Sequence, residues 1–167
     1  MLVDISPILC GQANTIHLDL VIEPDSLPCP ADLTVTAPIL ATGEIVDQAG
    51  YMRLTLDADV PAVAECSRCL EQVDASFHVH LEKNVAEKER LADADTDDYL
   101  IVEDEKLDAQ TPFTEQIILE IPSKFLCRED CRGLCPKCGR NRNFGDCGCS
   151  EKEPDPRFDV LRKLLGK

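Results

Sequence analysis

The chain of 167 residues carries 17 basic and 32 acidic residues, a net charge of −15, with ten cysteines and no tryptophan. That length suits one compact domain with a small appendage rather than two full domains. Five phenylalanines and two tyrosines are too few for an aromatic platform that stacks single strands, and no run of 18 apolar residues exists to span a membrane. The stretch from Met1 to Pro7 lacks a basic region followed by an apolar one, so a cytoplasmic rather than a secreted protein is expected. In a reducing compartment, cysteines at this density read as metal ligands before disulfides.

In chain order, the first 83 residues predict strands and turns. Ile16, Leu18, Leu20 and Ile22 recur at period two, and so do Leu33, Val35, Ala37 and Ile39, with Thr34 and Thr36 on the opposite face. Glu44 to Val46 follows Gly43. After Gly50, Met52, Leu54, Leu56 and Ala58 alternate with Tyr51, Arg53, Thr55 and Asp57. Val73, Ala75, Phe77, Val79 and Leu81 form the clearest alternation. Period two over such lengths means strands with one buried face and one wet face, here in a largely antiparallel sheet. His78 and His80 fall on the wet face, where two solvent-facing polar residues are the simpler reading than a metal pair.

Residues 84–110 read differently. Lys83 to Ala92 suits a helix start, Asp93 to Asp98 a mobile acidic loop, and Tyr99 to Val102 one more short strand. A helix over 111–121 is then predicted, with Thr111 as cap and Pro112 at the first helical position. Phe113, Ile117, Ile118 and Ile121 would lie on the face that covers the sheet, and Pro122 would end the element. A second helix is expected near 156–165, capped by Asp155 and striped by Phe158, Leu161, Leu164 and Leu165.

Charge divides the chain in two. Residues 1–122 carry 6 basic and 25 acidic residues, whereas residues 123–167 carry 11 basic and 7 acidic ones. The expected organisation is therefore an acidic β-rich domain over 1–122, with its mobile acidic segment at about 84–110, and a cysteine-rich module with a terminal helix over 123–167. The fold class is α+β: a mainly antiparallel sheet, a covering helix, a C-terminal zinc module and a final short helix. An acidic body repels phosphate backbones and attracts basic proteins, although the same charge also serves plain solubility.

Six cysteines fall between positions 127 and 149, namely Cys127, Cys131, Cys135, Cys138, Cys147 and Cys149; Cys66 and Cys69 form a further pair upstream. Cys135-Pro-Lys-Cys138-Gly has the form of a zinc knuckle, in which a tight turn aims two sulfurs at one ion. Eight cysteines in four close pairs predict structural zinc, one or two ions. The simplest partition groups Cys135, Cys138, Cys147 and Cys149 locally, and Cys66 and Cys69 with Cys127 and Cys131. An iron–sulfur cluster accepts the same thiolates, and a C-x-x-C redox catalyst would normally open a helix, which Cys66 to Cys69 does not. Cys10 and Cys29 read as ordinary thiols. Arg140, Asn141, Arg142 and Asn143, in the loop between Cys138 and Cys147, are candidate nucleic-acid contacts, since arginine serves phosphates and asparagine reads bases; an ordinary polar loop fits them equally.

Together, Glu65-Cys66-Ser67-Arg68-Cys69-Leu70, the helix end at Ile121-Pro122, the run from Cys127 to Gly139 and the closing Asp155-Pro156-Arg157-Phe158 resemble the YceD-like family of large ribosomal RNA subunit accumulation proteins. The resemblance covers most of the chain but only the general strand character of the first 60 residues. It implies a bacterial cytoplasmic factor needed for accumulation of large-subunit ribosomal RNA, and brings no catalytic residue with it. The expected partners are a large-subunit RNA precursor, a basic ribosomal or processing protein, or both, without a membrane. A zinc-dependent adaptor without a ribosomal role is the competing reading. An enzyme is not expected, because the chain shows no catalytic triplet and no glycine-rich phosphate loop, and a four-thiolate site has no open position to activate water.

Overall fold

The computed structural model of the chain describes residues 1–87 and 99–149. A short strand β1 (Leu2–Asp4) and a single helical turn α1 (Ser6–Leu9) precede β2 (Thr15–Ile22), β3 (Leu33–Val35), β4 (Ile39–Gln48), β5 (Tyr51–Glu65) and β6 (Gln72–Glu87). Strands β7 (Tyr99–Val102) and β8 (Lys106–Asp108) and helix α2 (Gln110–Glu120) follow. The main sheet runs β2-β4-β5-β6-β7, with β3 pairing the far end of β5, and β1 pairs β8 in a separate two-stranded ribbon. All pairings in the main sheet are antiparallel except β6 with β7.

Period two explains the core. Every second residue of β5 from Met52 to Ala64 is buried, and so are Leu18, Leu20 and Ile22 of β2, Ile39, Ala41 and Ile45 of β4, and Phe77, Val79, Leu81 and Val85 of β6. The second layer supplies Val3, Ile5, Ile8, Leu107, Phe113 and Ile117 to the same cluster. Burying one side chain of this size contributes about 1.5–3 kcal/mol. At Gly43, which pairs with Leu56, a Cβ would fall onto the Thr55 carbonyl and lie 2.9 Å from the Leu56 Cα, so the β4–β5 crossing requires glycine.

Several expectations need correction. Ala37 is exposed: the chain breaks at Thr36–Pro38, and β4 starts anew at Ile39 to pair with β2. The helix start read at Lys83 is strand to Glu87, because Val85 pairs with Met52 on one side and Leu100 on the other. Only the middle of the segment taken as mobile, 88–98, lies outside the described residues; its flanks are β6, β7 and β8. Thr111 is the second residue of α2, whose N-cap is Ala109, and the side chain of Asp108, just before that cap, holds the first turn. Its Oδ1 accepts the Gln110 N–H at 3.1 Å, and its Oδ2 accepts the Thr111 hydroxyl at 2.6 Å. Pro112 is accordingly the third helical residue. Of the proposed apolar face, Phe113 and Ile117 are buried and Ile121 packs against the core, while Ile118 turns outward. Asp93–Asp98 and the helix expected at 156–165 lie outside the described residues.

Candidate metal centres

Strands β5 and β6 form the longest hairpin, paired from Met52↔Val85 to Glu65↔Gln72. Its connection is the Cys66–Cys69 knuckle. The Leu70 N–H donates to the Cys66 carbonyl at 2.9 Å, with Leu70 in the left-handed region at φ 61°. The Cys135 knuckle repeats this closure: the Gly139 N–H donates to the Cys135 carbonyl at 2.8 Å, with φ 72° at Gly139. This turn places both sulfurs of each knuckle on one side.

Beyond α2, Pro122 turns the chain back toward the hairpin tip. The Ser67 N–H donates to the Phe125 carbonyl at 2.9 Å, and the Phe125 N–H donates to the Ser67 hydroxyl at 3.2 Å. That strap delivers Cys127 and Cys131 to Cys66 and Cys69, and the four sulfurs lie within 4.8 Å of one another. Cys66 and Cys131 sulfurs are 3.8 Å apart, and those of Cys69 and Cys127 are 3.6 Å apart. A tetrahedron with metal–sulfur bonds of about 2.3 Å has edges of about 3.8 Å, so these thiols fit a tetrahedral thiophilic ion. Cys135, Cys138, Cys147 and Cys149 make a second such group, also within 4.8 Å.

Arg68 and Gly133 join the two centres. Arg68 Nη1 donates to the Cys131 carbonyl at 2.9 Å and to the Glu129 carbonyl at 3.3 Å, while its own carbonyl accepts the Leu134 N–H at 3.0 Å. Gly133, at φ 69°, passes so close that a Cβ would stand 2.9 Å from the Arg68 carbonyl oxygen.

The sulfurs sit in contrasting fields. Burial pushes the Cys66 thiol up, but N–H donors from Cys127, Arg68 and Cys69 outweigh it and bring the group down to about 6. The N–H groups of Cys138 and Lys137, with the Cys147 thiol, bring Cys135 to about 6. Burial and the neighbouring thiols push Cys127 up to about 12, and the thiols of Cys138 and Cys147 do the same to Cys149. Four sulfurs this close cannot all ionise without a cation between them, and a cation is what such a group accommodates.

The candidate nucleic-acid residues divide. Arg140 and Arg142 are exposed. Asn141 and Asn143 are engaged inside the module: Asn141 Oδ1 accepts the Asn143 N–H at 2.9 Å, and Asn143 Oδ1 accepts the Arg132 N–H at 2.8 Å. Asn143 Nδ2 also donates to Cys131 Sγ at 3.3 Å, a role that spacing alone did not suggest. His78 and His80 lie on the wet face of β6 beside Asp59 and Asp57, and Asp59 leads in holding His78 above its ordinary value. Cys10 is exposed and Cys29 half-buried, apart from both tetrads. Among the described residues, no helix is long and apolar enough to cross a membrane.

No solved structure matches the chain. An uncharacterized protein of Mycobacterium tuberculosis (strain H37Rv) is 30% identical over 161 residues, 95% of this chain and 66% of that relative, so the chain spans just under two thirds of its length. YlbN of Bacillus subtilis, also uncharacterized, is 26% identical over 136 residues, 81% of this chain and 78% of that protein. A chloroplastic Arabidopsis thaliana protein, "Large ribosomal RNA subunit accumulation protein YCED homolog 1", is 32% identical over 59 residues, 35% of this chain and 18% of its own. The family model described as "Large ribosomal RNA subunit accumulation protein YceD" matches residues 54–165, from β5 through both thiol tetrads, and the chain belongs to that family.

Proposed function

We propose that the protein is a non-catalytic factor in large ribosomal subunit biogenesis, supporting accumulation or processing of large-subunit ribosomal RNA on a scaffold held by two zinc ions. The observation that carries this reading is the family match over residues 54–165, which spans both tetrads. The printed name of the Arabidopsis relative points to the same process. Zinc is favoured by the donor set: four thiols per group, in tetrahedral spacing, with no position left for a reacting water. Such an ion supplies folding energy rather than chemistry.

The two parts take different partners. The outer face of the sheet carries Asp19, Glu44, Asp57, Asp59, Asp74 and Glu82, a surface for a basic ribosomal or processing protein in the cytoplasm. Precursor RNA falls to Arg140 and Arg142, since both asparagines of that loop are committed internally. Deleting the gene is expected to lower large-subunit RNA relative to small-subunit RNA. Changing Arg140 and Arg142 together to alanine is expected to reduce salt-sensitive co-sedimentation with large-subunit precursors while leaving protein capture intact. An unchanged RNA ratio under slow and fast growth would replace this reading with a zinc adaptor outside the ribosome. Turnover of a model RNA by metal-loaded, nuclease-free protein would restore the enzyme. Protein purified without added metal should hold two zinc ions per chain; iron in their place would end the zinc assignment.

A further inference from the structure

Asn143 belongs to the chain segment of the second tetrad, between Cys138 and Cys147, but its side chain serves the first. Nδ2 donates to Cys131 Sγ at 3.3 Å, and Oδ1 accepts the N–H of the next residue, Arg132, at 2.8 Å. One amide thus grips the corner that carries the fourth sulfur of the first tetrad. Its orientation is determined by both contacts: rotated by half a turn, the oxygen would face sulfur and the NH2 would face an N–H, and both bonds would be lost.

The amide is in turn held by its own turn, Arg142–Phe144. The Asn143 N–H donates to Asn141 Oδ1 at 2.9 Å, and the Asn143 carbonyl accepts Arg128 Nη2 at 3.5 Å. The same loop is tied to the segment that enters the second knuckle, where the Cys135 N–H donates to the Arg140 carbonyl at 2.8 Å and the Arg142 N–H donates to the Gly133 carbonyl at 2.9 Å. The loop is therefore bracketed by ligands of the second tetrad and ends on a sulfur of the first. A second tetrad without its metal would leave that bracket unanchored, and with it the donor to Cys131.

We propose that Asn143 is a positioning residue that makes metal binding at the two tetrads cooperative, with occupation of the second strengthening the first. An N–H donor to a ligating sulfur orients the ligand and stabilises its charge, and removing such an outer partner typically weakens metal binding about 10- to 100-fold. By linkage, the first tetrad strengthens the second by the same factor. The inference rests on the zinc reading above, but the two fail in different ways.

The test is a zinc titration of the full chain against a chelating competitor. Cys138→Ser with Cys149→Ser disables the second tetrad, and the remaining zinc should bind about 10- to 100-fold more weakly than the first-tetrad zinc of the wild type. Asn143→Ala should weaken that site by a similar factor. Combining all three changes should add no further loss, because the link is already cut. Asn143→Asp keeps an acceptor for Arg132 but has no donor for Cys131, so it should lose as much as alanine or more. Losses that simply add, or an Asn143→Asp chain that binds like wild type, would overturn the linkage while leaving two zinc ions in place. A wild-type chain that takes up no zinc would overturn the zinc reading and the linkage with it.

Discussion

The two thiol tetrads share a knuckle but differ in their surroundings. In the first, Cys66, Cys69 and Cys131 are buried, and the knuckle is the connection between the two longest strands of the sheet. In the second, Cys138 and Cys149 are exposed, and all four ligands come from one short stretch. The first therefore belongs to the core and the second to the surface. A metal held by the first tetrad would stabilise the whole domain, whereas one held by the second would act chiefly on a loop.

The largest effect that separates them is expected from Cys66→Ser. Losing one thiolate at the hairpin tip should lower the stability of the sheet domain by on the order of 4 kcal/mol or more, as loss of a structural metal does. Amide exchange should quicken at the far ends of β5 and β6. Cys138→Ser should instead expose residues 133–149 to proteolysis, and the unfolding midpoint of the sheet should fall by less than in Cys66→Ser, only through the weaker hold of the first tetrad on its metal. Equal effects from the two changes would erase the distinction. Replacing Cys10 or Cys29 should leave metal content unaltered, since neither thiol joins a tetrad.

The joint between the centres is more moderate. Gly133→Ala forces a side chain into the left-handed region at φ 69° and against the Arg68 carbonyl. A cost of about 1–3 kcal/mol is expected, read by denaturant unfolding. Metal release should accelerate at both tetrads, because Arg68 and Leu134 hold the first knuckle to the segment that enters the second.

The smallest change lies upstream. Asp108, just before the Ala109 N-cap, holds the first turn of α2, the helix whose exit carries the chain to Cys127. Burial raises its carboxyl, but the Thr111 hydroxyl and the N–H groups of Thr111 and Gln110 outweigh that and hold it below its ordinary 3.8. Asp108→Ala should cost about 1 kcal/mol near neutral pH. A carboxylate whose folded value is depressed stabilises above its unfolded value and loses that contribution as pH falls through the folded one. The gap between wild type and Asp108→Ala should therefore close below pH 3.8. The first tetrad should loosen with the helix end, and the second only through its link to the first.

The thiol groups and the strands with strict alternation were legible in the sequence because both are local signals. Cys135-x-x-Cys138 and Met52-x-Leu54-x-Leu56 carry their geometry in their spacing. What was not legible depends on distant partners. Val85 to Glu87 is strand because β5 lies on one side and β7 on the other, and neither is visible from Lys83 onward. Asp108, and not Thr111, holds the helix start because pairing of β8 with β1 places it just ahead of the Ala109 N-cap. Ile118 matched the helical stripe but lies at its margin, where the sheet no longer covers it. Asn143 was read for what asparagine can offer a base, whereas both arms of its amide were already taken by a neighbour far closer in space.

The hairpin position of the first knuckle also bears on the order in which the chain comes together. Ligand pairs of the first tetrad are separated by 58 to 65 residues, whereas Cys135 and Cys149 are 14 apart. Closing a loop about four times longer costs about 1.2 kcal/mol more in chain entropy, and it also requires the intervening strands and α2 to be in place. During synthesis, Cys66 and Cys69 leave the ribosome with their hairpin and wait for the remainder of the domain. The second group needs only its own short stretch, so in a full chain refolding from denaturant it closes at the lower entropic cost, although during synthesis the last sulfur of the first group, Cys131, is made 18 residues before Cys149.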